Sequence, residues 1–148
     1  MYYDTLKFLA IVGSFWYAKN YNDKKIIFCG DSAGGNLATA LTIKRLQENT
    51  KGPDGLLLLY PALDLRIPEK TYDPTADGYF LTRVRTNDYI KIYLGKNFKE
   101  LANTPLVSPI IATDEILGKL PPTLIIGAEY DPLTASSKEF VEKAKNAS

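Results

Sequence analysis

The sequence predicts an α/β fold built on a parallel sheet with flanking helices. Three observations carry that expectation. The apolar runs "IIFCG" (Ile26–Gly30), "LLLLY" (Leu56–Tyr60) and "TLIIG" (Thr123–Gly127) are continuous and do not alternate, which is the pattern of strands buried on both faces. Helix-forming stretches separate them, and strands that return in the same direction need such crossovers. Turn chemistry punctuates the series, as in "NTKGPDG" before the second strand and Pro61 after it.

The elements follow in order. Leu6, Leu9, Ala10, Gly13, Trp16 and Tyr17 fall on one helical stripe, so a packed amphipathic helix is expected from Asp4 to Lys19. The apolar stretch Phe8–Ala18 has the length of a secretory signal core, but Asp4 cancels Lys7 where a signal carries net positive charge. It is too short to span a bilayer. The first strand leads into a helix from Ala33 to Glu48, with Leu37, Ala40 and Leu41 expected on its inner face. The last strand leads into a helix from Thr134 to Ala144, with Phe140, Val141 and Ala144 turned inward. Between them, Asp64 to Lys119 is polar and rich in Pro and Tyr, with a helix expected near Thr86–Leu94. It reads as a long decorated crossover and not as a second domain.

Composition narrows the function classes. The 148 residues are 45% apolar and 24% charged, as in ordinary globular domains. Net charge is +1, with no basic block, so no nucleic-acid or anionic-membrane partner is expected. Cys29 is the single cysteine, which excludes an internal disulfide and favours a reducing, cytoplasmic compartment. Its place at the end of an apolar run marks it as a small core residue.

The chemistry concentrates at "GDSAGGNLA". Gly30-Asp31-Ser32-Ala33-Gly34 fits G-x-S-x-G, and the match sits where a strand ends and a helix begins. There the turn is tight enough that neighbouring side chains would clash, hence Gly30, Gly34 and Gly35. It holds a serine hydroxyl out at the carboxyl end of the sheet, where open α/β sheets bind ligands. The Ala33 N–H points toward the same place and can share a developing oxyanion. A P-loop fails because Asn36-Leu37 stands where Lys-Ser/Thr would be required, and a dinucleotide fingerprint fails because position 32 is Ser. A glycine turn that serves only strand–helix packing is the remaining alternative. Asp131, just beyond the last strand, fits the acid in the chain order Ser, Asp, His; it could also be a turn residue before Pro132. Glu129 is the competing carboxylate, and Asp31 is expected to partner nearby backbone. Neither metal nor cofactor is called for.

"GDSAGGNLA", "GLLLLYPALDL" and "SPIIATDEILGKLPPTLIIGAEYDPL" together resemble the hormone-sensitive-lipase-like family of α/β-hydrolase serine esterases, of the arylacetamide-deacetylase and carboxylesterase type. "DTLKFLAIVGSFWYAKN" is similar to the helix before that family's nucleophile strand. The resemblance implies Ser32 as nucleophile, Asp131 as triad acid and Ala33 as an oxyanion donor. It also implies a small-molecule or lipid ester as substrate, with Tyr79 and Phe80 lining a pocket or serving as core. Ala135 departs from the family, whose members usually carry a second acid there.

The chain contains no histidine. By resemblance, the family's "HGGG" oxyanion loop precedes the first helix and its catalytic histidine follows a further strand. Residues 1–148 are therefore expected to form a partial α/β-hydrolase domain, without the N-terminal strands and the histidine segment, and to be inactive alone. A non-catalytic binding or interaction module is the alternative, as in plant gibberellin receptors, which share the fold without the histidine. An uncovered sheet edge would favour association.

Overall fold

A computed structural model describes residues 24–66 and 79–148. The helix expected over Asp4–Lys19 lies outside them. Three parallel strands, β1 (Ile27–Asp31), β2 (Gly55–Leu59) and β3 (Thr123–Ile126), pair in the order β1-β2-β3. Each lies within a residue of its expected position. The turn into β2 is fixed by Asp54, whose carboxylate accepts from the Ile26 N–H at 2.7 Å while its own N–H donates to the Ile26 carbonyl.

The sheet is shielded on one face. Leu56 and Leu58 point toward α1 (Ser32–Gln47), α4 (Asp114–Leu117) and α5 (Thr134–Ala147). Ile43, Leu63, Ile110, Leu117 and Phe140 close that layer, with Ile125 packed against them. The opposite face carries Ile27, Cys29, Leu57, Leu59, Leu124 and Ile126, matched strand to strand by the register. Ile27 is 57% exposed, Leu124 58% and Ile126 49%, and Cys29 is exposed. Continuous apolar strands led us to expect burial on both faces and a buried Cys29. The structure corrects the expectation for Cys29, and it leaves this face uncovered, as expected of a partial domain, because every described helix that packs on the sheet lies on the Leu58 side.

The inner face of α1 also differs from the sequence reading. Asn36, Thr39, Ala40 and Ile43 are buried, whereas Leu37 and Leu41 are half-buried. Polar groups can occupy this face because each finds a partner. Thr39 Oγ1 donates to the Gly35 carbonyl and Thr42 Oγ1 to the Ala38 carbonyl, both at 2.8 Å. Asn36 Nδ2 donates to the Ala62 carbonyl at 2.6 Å and the Val107 carbonyl at 2.8 Å. In α5, Phe140 is buried as expected, while Val141 and Ala144 are half-buried.

The stretch between β2 and β3 adds α2 (Arg83–Leu94), α3 (Phe98–Leu101) and two 3₁₀ turns, Gly95–Asn97 and Pro109–Ile111. Helix α2 starts a turn earlier than expected because the Thr82 side chain accepts from the Arg85 N–H. It stops at Gly95, whose φ of 70° suits a residue without Cβ. Ile90 and Leu94 pack with Ala62, Leu65, Val107 and Leu133 in a second apolar cluster. The loop after β2 is sewn to this layer: Leu65 N–H donates to Ser108 Oγ, which donates on to the Ala102 carbonyl. Asp64, 4% exposed, is gripped by the Arg66 guanidinium through two bonds of 2.7 and 2.8 Å.

The junction of β1 and α1 is the tightest backbone approach that positions the site. A Cβ on Gly30 would stand 2.3 Å from the Gly34 carbonyl carbon, and one on Gly35 would stand 2.7 Å from Pro61 Cβ. Gly34 is under no such constraint, because its Cβ would meet only Asp31 Oδ1 at 3.6 Å. Gly30→Ala should therefore lower unfolding stability by about 3 kcal/mol or more. Gly34→Ala should be neutral or gain up to about 1 kcal/mol from helix propensity. Urea midpoints of the two variants check the contrast, and equal losses would contradict it. Asn36→Ala strands two buried carbonyls and should cost about 2–4 kcal/mol, read in the same denaturation series.

Candidate active site

Asp31 is extended, with φ −106° and ψ 146°, and the chain reverses abruptly at Ser32, where φ is 48°. A positive φ at a non-glycine residue costs about 1–3 kcal/mol and persists only where the surroundings impose it. Here they do. The Ser32 carbonyl accepts from the Ala62 N–H at 3.1 Å, so the strained residue is fastened to the loop leaving β2. The glycines on either side of the approach leave the backbone no other path. Ser32 opens helix α1, and Ala33 follows it with an N–H in the first turn, where helical amides lack intrahelical acceptors.

The Asp31 side chain makes no cap hydrogen bond to α1. This differs from the expectation that it would partner nearby backbone: the residue is the N-cap without a cap bond, and it lines a cavity. That cavity holds about 810 Å³, within the range of small-molecule sites. Ser32, Ala33 and Asp131 all line it. Glu129 is exposed and does not.

Asp131 sits in a turn that leads into α5. Its Oδ1 accepts from the Leu133 N–H at 2.8 Å and its carbonyl accepts from the Thr134 N–H at 3.0 Å. Thr134 Oγ1 reaches back to the Ala128 carbonyl at 2.6 Å, tying the loop closed. Burial pushes the Asp131 carboxyl above its ordinary range, and the Leu133 N–H opposes that push. The turn reading and the acid reading are thus compatible: one oxygen shapes the turn, and the residue still faces the cavity.

Among the described residues the rest of the wall mixes the aromatic Tyr60, Tyr79, Phe80, Tyr89, Tyr93 and Tyr130 with aliphatic side chains such as Leu65, Leu81, Ile90 and Leu133. Tyr79 and Phe80 line the cavity and are not core, being 52% and 87% exposed. Tyr79 stacks on Tyr130, with centroids 4.6 Å apart and planes at 19°. Sequence reasoning did not single out Tyr130, although its place before Asp131 was the available signal. It also missed Asn36, which lines the cavity beneath Ser32 while bridging two loops; an Asn one helical turn after a candidate nucleophile was that signal. Among the described residues no cluster of three His, Cys, Asp or Glu side chains is placed to hold a metal ion. No described helix is long and apolar enough to cross a membrane.

Comparisons with known proteins bear on the family and the fold. An esterase of Acinetobacter venetianus is 36% identical over 126 residues, which is 84% of this chain and 40% of that protein. The structure of carboxyl esterase 2 from Tuber melanosporum superposes with a TM-score of 0.82 at 27% identity, covering 89% of this chain and 45% of that one. A hormone-sensitive lipase from a metagenome library gives 0.70 at 33% identity, covering 82% and 39%. The chain spans about two fifths of the length of the curated relatives it matches. A family model described as the alpha/beta hydrolase fold matches residues 1–148, and the chain belongs to that family.

Proposed function

We propose that residues 1–148 are the nucleophile-to-acid portion of a serine carboxylic-ester hydrolase. The observation that carries the reading is that Ser32, held at positive φ, opens on the same cavity as Asp131. The esterase relatives support the reaction class. Ser32 Oγ attacks the ester carbonyl carbon and the C=O π pair moves onto oxygen, where the Ala33 N–H donates to it. The carbonyl re-forms as the alkoxide leaves and takes up a proton, so Ser32 becomes an acyl ester. Water then attacks that ester and releases the acid.

Both steps need a base to take a proton from Ser32 Oγ and then from water. Asp131 would hold an imidazole in its productive tautomer and stabilise its cation. No residue of this chain is a histidine, so the imidazole would come from outside these 148 residues. Without it, turnover is expected to fall by roughly four to six orders of magnitude. The single cysteine suits a reducing compartment, where we place the protein. The bare sheet face and edge suit association with further polypeptide.

With p-nitrophenyl butyrate, the 148-residue chain should release p-nitrophenol at the rate of buffer. Imidazole added to the solution should produce a butyryl adduct on Ser32, seen by intact mass and peptide mapping and lost in Ser32→Ala. Turnover that survives Ser32→Ala would sink the proposal. Binding of the ester with no adduct under any condition would favour a cavity that binds without reacting.

A second test concerns Asp131. Its folded-state pKa is raised by burial, so the folded chain holds the proton better than the unfolded chain does. That contribution to stability is full below the ordinary value of 3.8 and is lost as pH rises through the raised one. Asp131→Asn keeps an oxygen for the Leu133 N–H and removes the titration. The variant should lose less stability than the parent chain on going from pH 4 to pH 7, and should melt at a higher temperature at pH 7. Identical pH profiles from thermal denaturation would refute this.

A further inference from the structure

We infer that Tyr60 is a positioning residue for the reaction, and that its ring seats the flat base that would join Ser32 to Asp131. The inference rests on the reading of Ser32 as the nucleophile, because it concerns the group that would take the proton from it.

Place in the sheet is the first observation. The register pairs Leu59 with Asp31 on one side and with Ile126 on the other. Tyr60, one residue on, therefore ends the central strand between Ser32 and the loop that runs from Gly127 to Asp131. A group that bridges Ser32 and Asp131 spans the end of β2, and Tyr60 stands there. All three residues line the same cavity.

The second observation is the backbone. Tyr60 has a φ of 36°, which is unusual for a bulky residue and more so before a proline, where extended backbone is favoured. The surroundings impose it from both sides. The Tyr60 N–H donates to the Ile126 carbonyl at 2.6 Å, and the Ala62 N–H is bonded to the Ser32 carbonyl. Pro61 between them lies against Gly35. Strand alternation would carry an extended residue 60 to the Leu58 side, beneath the helices. The turn instead leaves Tyr60 40% exposed and on the cavity wall. Strain of this kind gathers where a side chain has to be aimed. Among the described non-glycine residues only Ser32, at the end of the neighbouring strand, and Asn49, in the turn after α1, share a positive φ.

The third is chemistry. An aromatic ring gains from a flat ring laid against it, whereas a saturated base of similar size gains burial alone. That difference is worth about three- to tenfold in affinity.

Imidazole itself is the probe, with N-methylmorpholine, a saturated base of similar basicity, as its comparison. Each is titrated by saturation-transfer NMR at pH 9, where both are neutral, against the 148-residue chain and its variants. Tyr60→Leu should raise the Kd of imidazole about three- to tenfold and leave that of N-methylmorpholine unchanged. Tyr60→Phe should keep the parent affinity, because it keeps the ring. Tyr60→Gly supplies the answer should Tyr60→Leu fail to fold, since glycine accepts this backbone without strain and carries no ring. With p-nitrophenyl butyrate, the imidazole concentration that half-saturates formation of the Ser32 adduct should rise by the same factor in the Leu and Gly variants. An unchanged imidazole Kd in those two variants, an equal loss for both bases, or no imidazole binding by the parent chain would overturn the inference. The two readings fail separately. Imidazole affinity that depends on Tyr60, with no Ser32 adduct formed, refutes the hydrolase alone. An adduct whose imidazole dependence is the same in all four chains refutes the seat alone.

Discussion

The site depends on one steric constraint, the contact of bare backbone where β1 hands over to α1. Gly30 lies against the Gly34 carbonyl, and Gly35 lies against Pro61. This brings the first turn of α1, the end of β1 and the loop after β2 to van der Waals distance at a single place. Ser32 has to turn through φ 48° there, a conformation that costs energy on its own. The Ala62 N–H bonded to the Ser32 carbonyl and the Asn36 amide bonded to the Ala62 carbonyl hold the same loop from two sides. The strain is therefore local and its restraints are distributed. The second Asn36 bond extends the tie to Val107, which sits in the cluster that seats α2. Moving the elbow would disturb the aromatic wall of the cavity, because both hang from the same loop.

Much of this was legible in the sequence because it is written in local chemistry. Continuous apolar runs gave the three strands and their direction, and G-x-S-x-G at a strand end gave the elbow. Asp131 was legible because it lies just beyond an apolar strand. What escaped was information held between distant segments. Asn36 reads as a solvated polar residue until its two carbonyl partners, one of them more than two turns of chain beyond α2, are seen to close around it. The inner face of α1 escaped for a related reason. Thr39 and Thr42 bond to their own helix, so hydroxyls replace the apolar periodicity on which the reading relies. Cys29 and Ile27 failed in the opposite direction. An apolar run signals two-sided burial, but burial is a property of what packs against the strand, and no described helix packs on that face.

Asp131 shows how the energetics of the site differ from those of the fold around it. Asp64 is more deeply buried than the half-buried Asp131, yet the Arg66 guanidinium bonds to both its oxygens, and that carboxylate in turn holds the Arg66 pKa up. A buried charge with such a partner is compensated where it stands. Among the described residues Asp131 has the Leu133 N–H and no cation beside it, and a largely apolar wall lies around it. One hydrogen bond does not offset the desolvation, and the carboxyl is pushed toward its neutral form. An imidazole brought to the free oxygen would reverse the balance: the ionised acid would gain a hydrogen bond and, on proton transfer from Ser32, an adjacent cation. The same desolvation that weakens Asp131 in isolation would then strengthen its hold on the imidazolium, because charges attract more strongly where water is excluded. Burial of the acid is thus unfavourable to this chain by itself and favourable to a site completed by a base, which is the pattern expected where local stability yields to chemistry.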